Sequence, residues 1–206
     1  DAKRSGVATE TLRRLEEQLE FEQPATSQIA QQAVSAPKSV HQGELKTAID
    51  LREIGRYREA EEYLNSVIEN DPSNAEALSL LSQVLLLDKK ETAAARALKA
   101  AASINSELPS VYRNQARLLL KQSKTQEALQ TAQEACARSP EDVESLLVLA
   151  GCLSAHRRDS DALLLIEKIL NVKSNYAEAY ANRALIKLRA KDTAGAVADA
   201  EMTVSL

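Results

Sequence analysis

Two series of small residues recur along this chain at one spacing. Ala60, Ala94, Ala128, Ala162 and Ala196 stand 34 residues apart, and Ala48, Ser82, Ala116, Ala150 and Ala184 keep the same step. A fixed period of this length predicts a protein built from stacked copies of one small unit. A single unit cannot bury both of its faces, so each must rest on the next. Such a stack works through its surface rather than through one central pocket.

Each period contains two helical patterns separated by a short polar turn. In the second period Leu78, Leu81, Ser82 and Leu85 share one helix face, and after Asp88-Lys89-Lys90 the residues Ala94, Leu98 and Ala101 share another. The fourth period does the same with Leu146, Leu149, Ala150 and Leu153, a turn at His156–Asp159, then Ala162, Ile166 and Ile169. Two helices meet closely only where their side chains are small, and the alanine series supplies that contact. Good helix formers dominate and aromatics make up 3% of the chain, so an all-α protein is expected. Pro72 and Pro140, two periods apart, follow the second helix of their units, where a missing N–H ends the ladder.

These patterns resemble the tetratricopeptide repeat, whose signature runs W-x2-L-G-x2-Y, then A-x3-F, then P. Leu146-x2-Leu149-Ala150-x2-Leu153 with Ala162-x3-Ile166 fits it with conservative changes, as does Tyr112-x2-Gln115-Ala116-x2-Leu119 with Ala128-x3-Ala132 and Pro140. Ile54-Gly55-Arg56-Tyr57-Arg58-Glu59-Ala60 resembles the family's turn. No unit carries the Trp, and Lys187 replaces a bulky apolar residue in the fifth. The resemblance implies a right-handed α-solenoid of stacked antiparallel helix hairpins, a superhelix. Five repeats are expected at 41–74, 75–108, 109–142, 143–176 and 177–206. Residues 1–40 fall outside the register. Helical patterns over Thr9–Glu22 and Thr26–Val34 there suit either a degenerate capping hairpin or a docking or linker helix. Val197, Ala200 and Val204 would be left partly bare at the other end, so more chain is expected after Leu206, and self-association through the stack ends is a further expectation.

Composition excludes several functions. A net charge of −4 and a pI near 5.4 argue against a nucleic-acid partner, which demands a basic surface. No apolar run reaches the roughly 18–20 residues of a membrane span, so no membrane insertion is expected. His41 and His156 fall in different units, and there is no H-E-x-x-H, Gly-rich phosphate loop or C-x-x-C pair. Neither catalysis nor a cofactor or metal is therefore expected. Cys136 and Cys152 sit among apolar neighbours and are read as small buried hydrophobes, which leans towards a cytoplasmic, reducing compartment.

In proteins similar to this one the first helix of each repeat lines a concave face. On the third unit's first helix Arg113, Arg117 and Lys121 are four apart and form a basic stripe with no acidic residue on that helix. Arg113 and Arg117 are expected to take an acidic or carboxylate group of a peptide through forked bonds. Asn114 and Asn182 would hold its backbone, and Leu147 and Val148 an apolar side chain. The family's clamp for chaperone C-termini is not implied, because Ser79, Gln83, Glu144 and Val148 stand where its residues would be. The resulting expectation is a non-catalytic scaffold that binds a peptide or partner segment in its groove. The alternative is the substrate-recruiting arm of a larger enzyme, such as a glycosyltransferase with an Asn ladder along its groove. Only Asn114 and Asn182 would belong to that ladder here.

Overall fold

The computed structural model describes residues 38–206, with side chains from Leu45 onward. The helices expected over Thr9–Glu22 and Thr26–Val34 lie outside the described residues. Ten helices and no strand occur among the described residues: α1 Lys38–Glu53, α2 Tyr57–Asn70, α3 Ala75–Leu87, α4 Glu91–Ile104, α5 Pro109–Lys121, α6 Thr125–Arg138, α7 Val143–Ala155, α8 Asp159–Val172, α9 Ala177–Arg189 and α10 Thr193–Ser205. The architecture is an all-α helical solenoid. The backbone of α1 is already helical at Lys38, before the residue at which the sequence period opens.

The chain gathers into two compact units that divide between Val111 and Tyr112, inside α5. In the first, α1 packs on α2, α2 on α3 and α3 on α4. Leu64, Leu78, Leu81 and Leu85 are fully enclosed there, and Ser79 Oγ meets Ser110 Oγ at 2.8 Å. Lys90 spans from the turn before α4 to Glu61 of α2 at 2.8 Å and to Asp88 at 2.8 Å. In the second unit α6 packs on α7, α7 on α8, α8 on α9 and α9 on α10. Its continuous core includes Ala116, Leu119, Ile166, Ile169 and Ile186.

Both small-residue series lie inside the hairpins. Ala60, Ala94, Ala128 and Ala162 are completely buried and Ala196 nearly so. Ala48, Ser82, Ala116 and Ala150 are likewise buried, whereas Ala184 in α9 is only half-buried.

The turn inside each hairpin has one geometry. Gly55, Lys89, Ser123, Arg157 and Lys191, again 34 apart, all have positive φ between 60° and 76°. Each is followed by a residue whose N–H returns to the carbonyl five positions earlier, as in Arg56 to Leu51 at 2.8 Å, Lys90 to Leu85 at 2.8 Å and Arg158 to Leu153 at 2.9 Å. The left-handed residue donates to the carbonyl three positions earlier, as in Gly55 to Arg52 at 3.1 Å. This double closure is the Schellman motif, which satisfies two carbonyls at the helix end. Only Gly55 adopts the conformation without a Cβ penalty; for other L-residues it costs roughly 1–2 kcal/mol. Asn74 and Asp142 then start first helices by accepting the N–H of Ala77 at 2.9 Å and of Ser145 at 3.1 Å.

Replacing Lys89 or Arg157 by Gly should raise stability by about 0.5–1 kcal/mol each, since relief of the left-handed strain is partly offset by the freer unfolded chain. Gly55→Ala should lower it by about 1 kcal/mol through the backbone alone, because a Cβ there meets nothing within 4 Å. Urea denaturation of the three variants measures both effects. A loss of stability on Lys89→Gly would contradict the strain argument.

Candidate protein-interaction groove

The basic residues of α5 project towards the opening of α7. Arg113 donates to the carboxylate of Asp142, which caps α7, and its Nε lies 3.4 Å from Glu144. Arg117 lies 3.7 Å from the same Glu144 and donates to Asn114 Oδ1 at 3.4 Å. Burial, only partly offset by Glu144 and reinforced by the neighbouring Arg113, lowers the Arg117 pKa below the usual guanidinium value. An arginine nevertheless stays charged at neutral pH. The side chains of Arg113 and Arg117 are 14% and 20% exposed. The expected free basic stripe is therefore closed over at two of its three members, and Lys121 alone is exposed. The carboxylates come from a helix about 30 residues later, which a reading of α5 by itself does not see.

The other expected groove residues separate. Asn114 is completely buried, so it lines no open surface. Leu147 and Val148 are also buried and belong to the core of the second unit, where they pack with Ala116, Leu119 and Ile166. Asn182 differs. It is half-buried and lines a cavity of about 240 Å³ between α7 and α9, the first helices of successive hairpins. Gly151, Ser154 and Ala155 form the α7 side, and Leu185 and Arg189 join Asn182 on the α9 side. Leu185 is 57% exposed. Arg189 closes one end by pairing with Asp159 at 2.5 Å and with Ser154. The sequence reading missed Gly151 and Leu185. A glycine inside a helical pattern, one period after Arg117, was the available signal.

The last hairpin replaces apolar packing with charge. One and two periods earlier the places of Arg183, Lys187 and Asp199 are held by Leu149, Leu153 and Leu165, and by Gln115, Leu119 and Thr131. Asp199, on α10, has a side chain only 4% exposed. Arg183 grips it with Nε at 2.8 Å and Nη2 at 2.6 Å, and Lys187 Nζ adds a contact at 2.9 Å. The bond from Arg183, joined by that from Lys187, holds the Asp199 pKa below its ordinary 3.8 against the opposing effect of burial. Lys187, conspicuous in the sequence, is thus the partner of a buried carboxylate.

Burial pushes the Cys136 thiol up to about 11 and the Cys152 thiol up to about 12, so neither is a reactive thiolate at neutral pH. No group of three or more His, Cys, Asp or Glu among the described residues could hold a metal ion. No described helix is long and apolar enough to cross a membrane.

The repeat geometry has a counterpart in known sequences, since the tetratricopeptide repeat profile matches residues 45–109 and again 119–191. The chain belongs to the tetratricopeptide repeat family. Its membership makes it a protein-interaction scaffold. Solved structures share the fold. A thermophilic tetratricopeptide repeat protein of Thermus thermophilus is 17% identical, with a TM-score of 0.66 over 80% of this chain and 90% of that one. PilW, a type IV pilus biogenesis factor, is 17% identical, with a TM-score of 0.61 over 82% and 80%. PilF of Pseudomonas aeruginosa is 20% identical, with a TM-score of 0.55 over 80% and 75%. No curated protein sequence matches the chain. At these identities the structural likeness speaks to fold alone.

Two substitutions test the charged contacts. A carboxylate whose pKa is depressed by folding contributes stability that is fully present above its unfolded pKa and lost as pH falls through the folded value. Asp199→Asn should therefore destabilise the last hairpin at neutral pH by about 2 kcal/mol, less than the 3–5 of a fully enclosed pair because both cations are partly exposed. The variant should also lose part of the wild-type decline below pH 3.8. Hydrogen exchange of α9 and α10 against pH reads this, and an unchanged acid limb would refute it. Asp142→Ala should cost about 2 kcal/mol and Asp142→Asn less, since Asn keeps the helix cap. Equal losses in thermal denaturation would show that the cap contributes little.

Proposed function

We propose that the face formed by the first helices of the second unit holds an extended segment of a partner protein. The observation that carries this reading is the cavity between α7 and α9, where the 57%-exposed Leu185 stands beside the Asn182 amide. An amide that both donates and accepts can hold a peptide backbone without demanding a particular side chain. An exposed leucine next to a concavity gives apolar contact at little ordering cost, because the repeat stack already fixes its position. Arg113 and Arg117 border this face, but their role is to join α5 to α7 through Asp142 and Glu144. Lys121 is the residue of the stripe left to meet a charge on the partner. Leu147 and Val148 contribute from beneath, by filling the core under the groove.

A photo-crosslinking side chain placed at Leu185 should capture partner protein from native extract, and one placed at the exposed Leu164 of α8 should not. Leu185→Glu should weaken that capture by tenfold or more, about 1.4 kcal/mol. Its melting temperature should stay unchanged, since the residue contributes little to the core. Capture from position 164 and none from 185 would move the interaction to the second helices.

A further inference from the structure

The geometry points to a specific pocket at Gly151 that takes one bulky uncharged side chain, aliphatic or aromatic, from the bound segment. This inference rests on the groove reading above and names what the groove selects.

Gly151 lies in the middle of α7, and its φ is not among the positive values of the chain. A Cβ added there would meet no atom within 4 Å. Neither backbone conformation nor packing therefore requires glycine, although glycine weakens a helix interior. One and two periods earlier the same place holds Arg117 and Gln83, long side chains that are half-buried and buried respectively. By register, the cavity above Gly151 stands where those repeats carry a long side chain. Its volume of about 240 Å³ exceeds the roughly 150 Å³ of a dry apolar cavity that admits benzene. A leucyl or phenyl group therefore fits.

The surroundings choose the chemistry. Leu185 and Ile186 on one side and Ala150 and Ala155 on the other make the lining largely apolar. Each nearby cation already has a carboxylate: Arg189 has Asp159, Arg117 has Glu144, and Arg183 and Lys187 share Asp199. An acidic side chain would have to displace one of these partners, whereas an uncharged one displaces nothing. The side chain of Asn182 at the rim makes no hydrogen bond among the described residues, which leaves its amide open to the backbone on either side of the anchor. The acidic partner expected from the sequence thus gives way to an apolar one.

A displayed library of random linear peptides, selected against the whole chain, tests both levels. Selected peptides should share one position dominated by Leu, Ile, Met or Phe. Gly151→Leu fills the pocket from within and should lower their affinity more than tenfold, with the melting temperature unchanged or raised; Gly151→Ala should lower it less. Peptides anchored by Asp or Glu would overturn the pocket and leave the groove standing. So would affinity that survives Gly151→Leu but is lost in Leu185→Glu. Failure to enrich any peptide, or binding indifferent to both substitutions, would overturn the groove reading as well. Should Gly151→Leu disturb folding, the wild-type methyl resonances of Leu185 and Ile186 decide. A shift on adding the selected peptide supports the pocket, and constant positions refute it.

Discussion

Close approach of two helices at a small residue is the constraint on which everything else in this chain depends. Where Ala60, Ala94, Ala128 and Ala162 sit fully buried, a larger side chain would force the hairpin apart and cost about 1–3 kcal/mol in strain. Once the helices are that close, the reversal between them must be short. The left-handed residues at Gly55, Lys89, Ser123, Arg157 and Lys191 achieve it within three positions. Leu, Ile and Val beside the alanines fill the space around that contact, and within each unit they extend the core from one hairpin to the next. Four of the five turns keep a strained non-glycine residue, which shows that packing of the alanine seam overrides local backbone preference.

The groove follows from the same arrangement. In the second unit the first helices α7 and α9 lie side by side, so a glycine on one of them opens space against the other. Gly151 facing Leu185 is that case. Arg113 and Arg117 serve the groove indirectly. By joining α5 to the capped start of α7 they fix the orientation of the helix that carries Gly151.

Much of the fold was legible because it is periodic. The small-residue series, the polar turns and the apolar offsets repeat often enough that each unit checks the others. The site was less legible, for a physical reason. Whether Arg113 is free or paired depends on Asp142, whose distance in sequence is nearly a full repeat, and spacing along one helix carries no information about that neighbour. Leu147 and Val148 looked like groove residues by position, yet both are buried in the core of the second unit, and position along one helix does not tell which neighbours will cover them. Asn182 lines the cavity because Gly151 leaves it uncovered. The strained turns escaped notice because Lys, Ser and Arg at those places give no local sign of positive φ.

The charged cluster of the last hairpin has a consequence for alignment. Helices that meet through alanine can slide along one another by a turn and still find small residues opposite, so an all-apolar hairpin has competing registers. Asp199 tolerates only one. A slip of α10 against α9 by a turn would part its carboxylate from at least one of Arg183 and Lys187 while keeping it under cover, and a buried charge that loses part of its pairing is costly. In the hairpin where Ala184 is least enclosed, three polar side chains act as a key that favours one position.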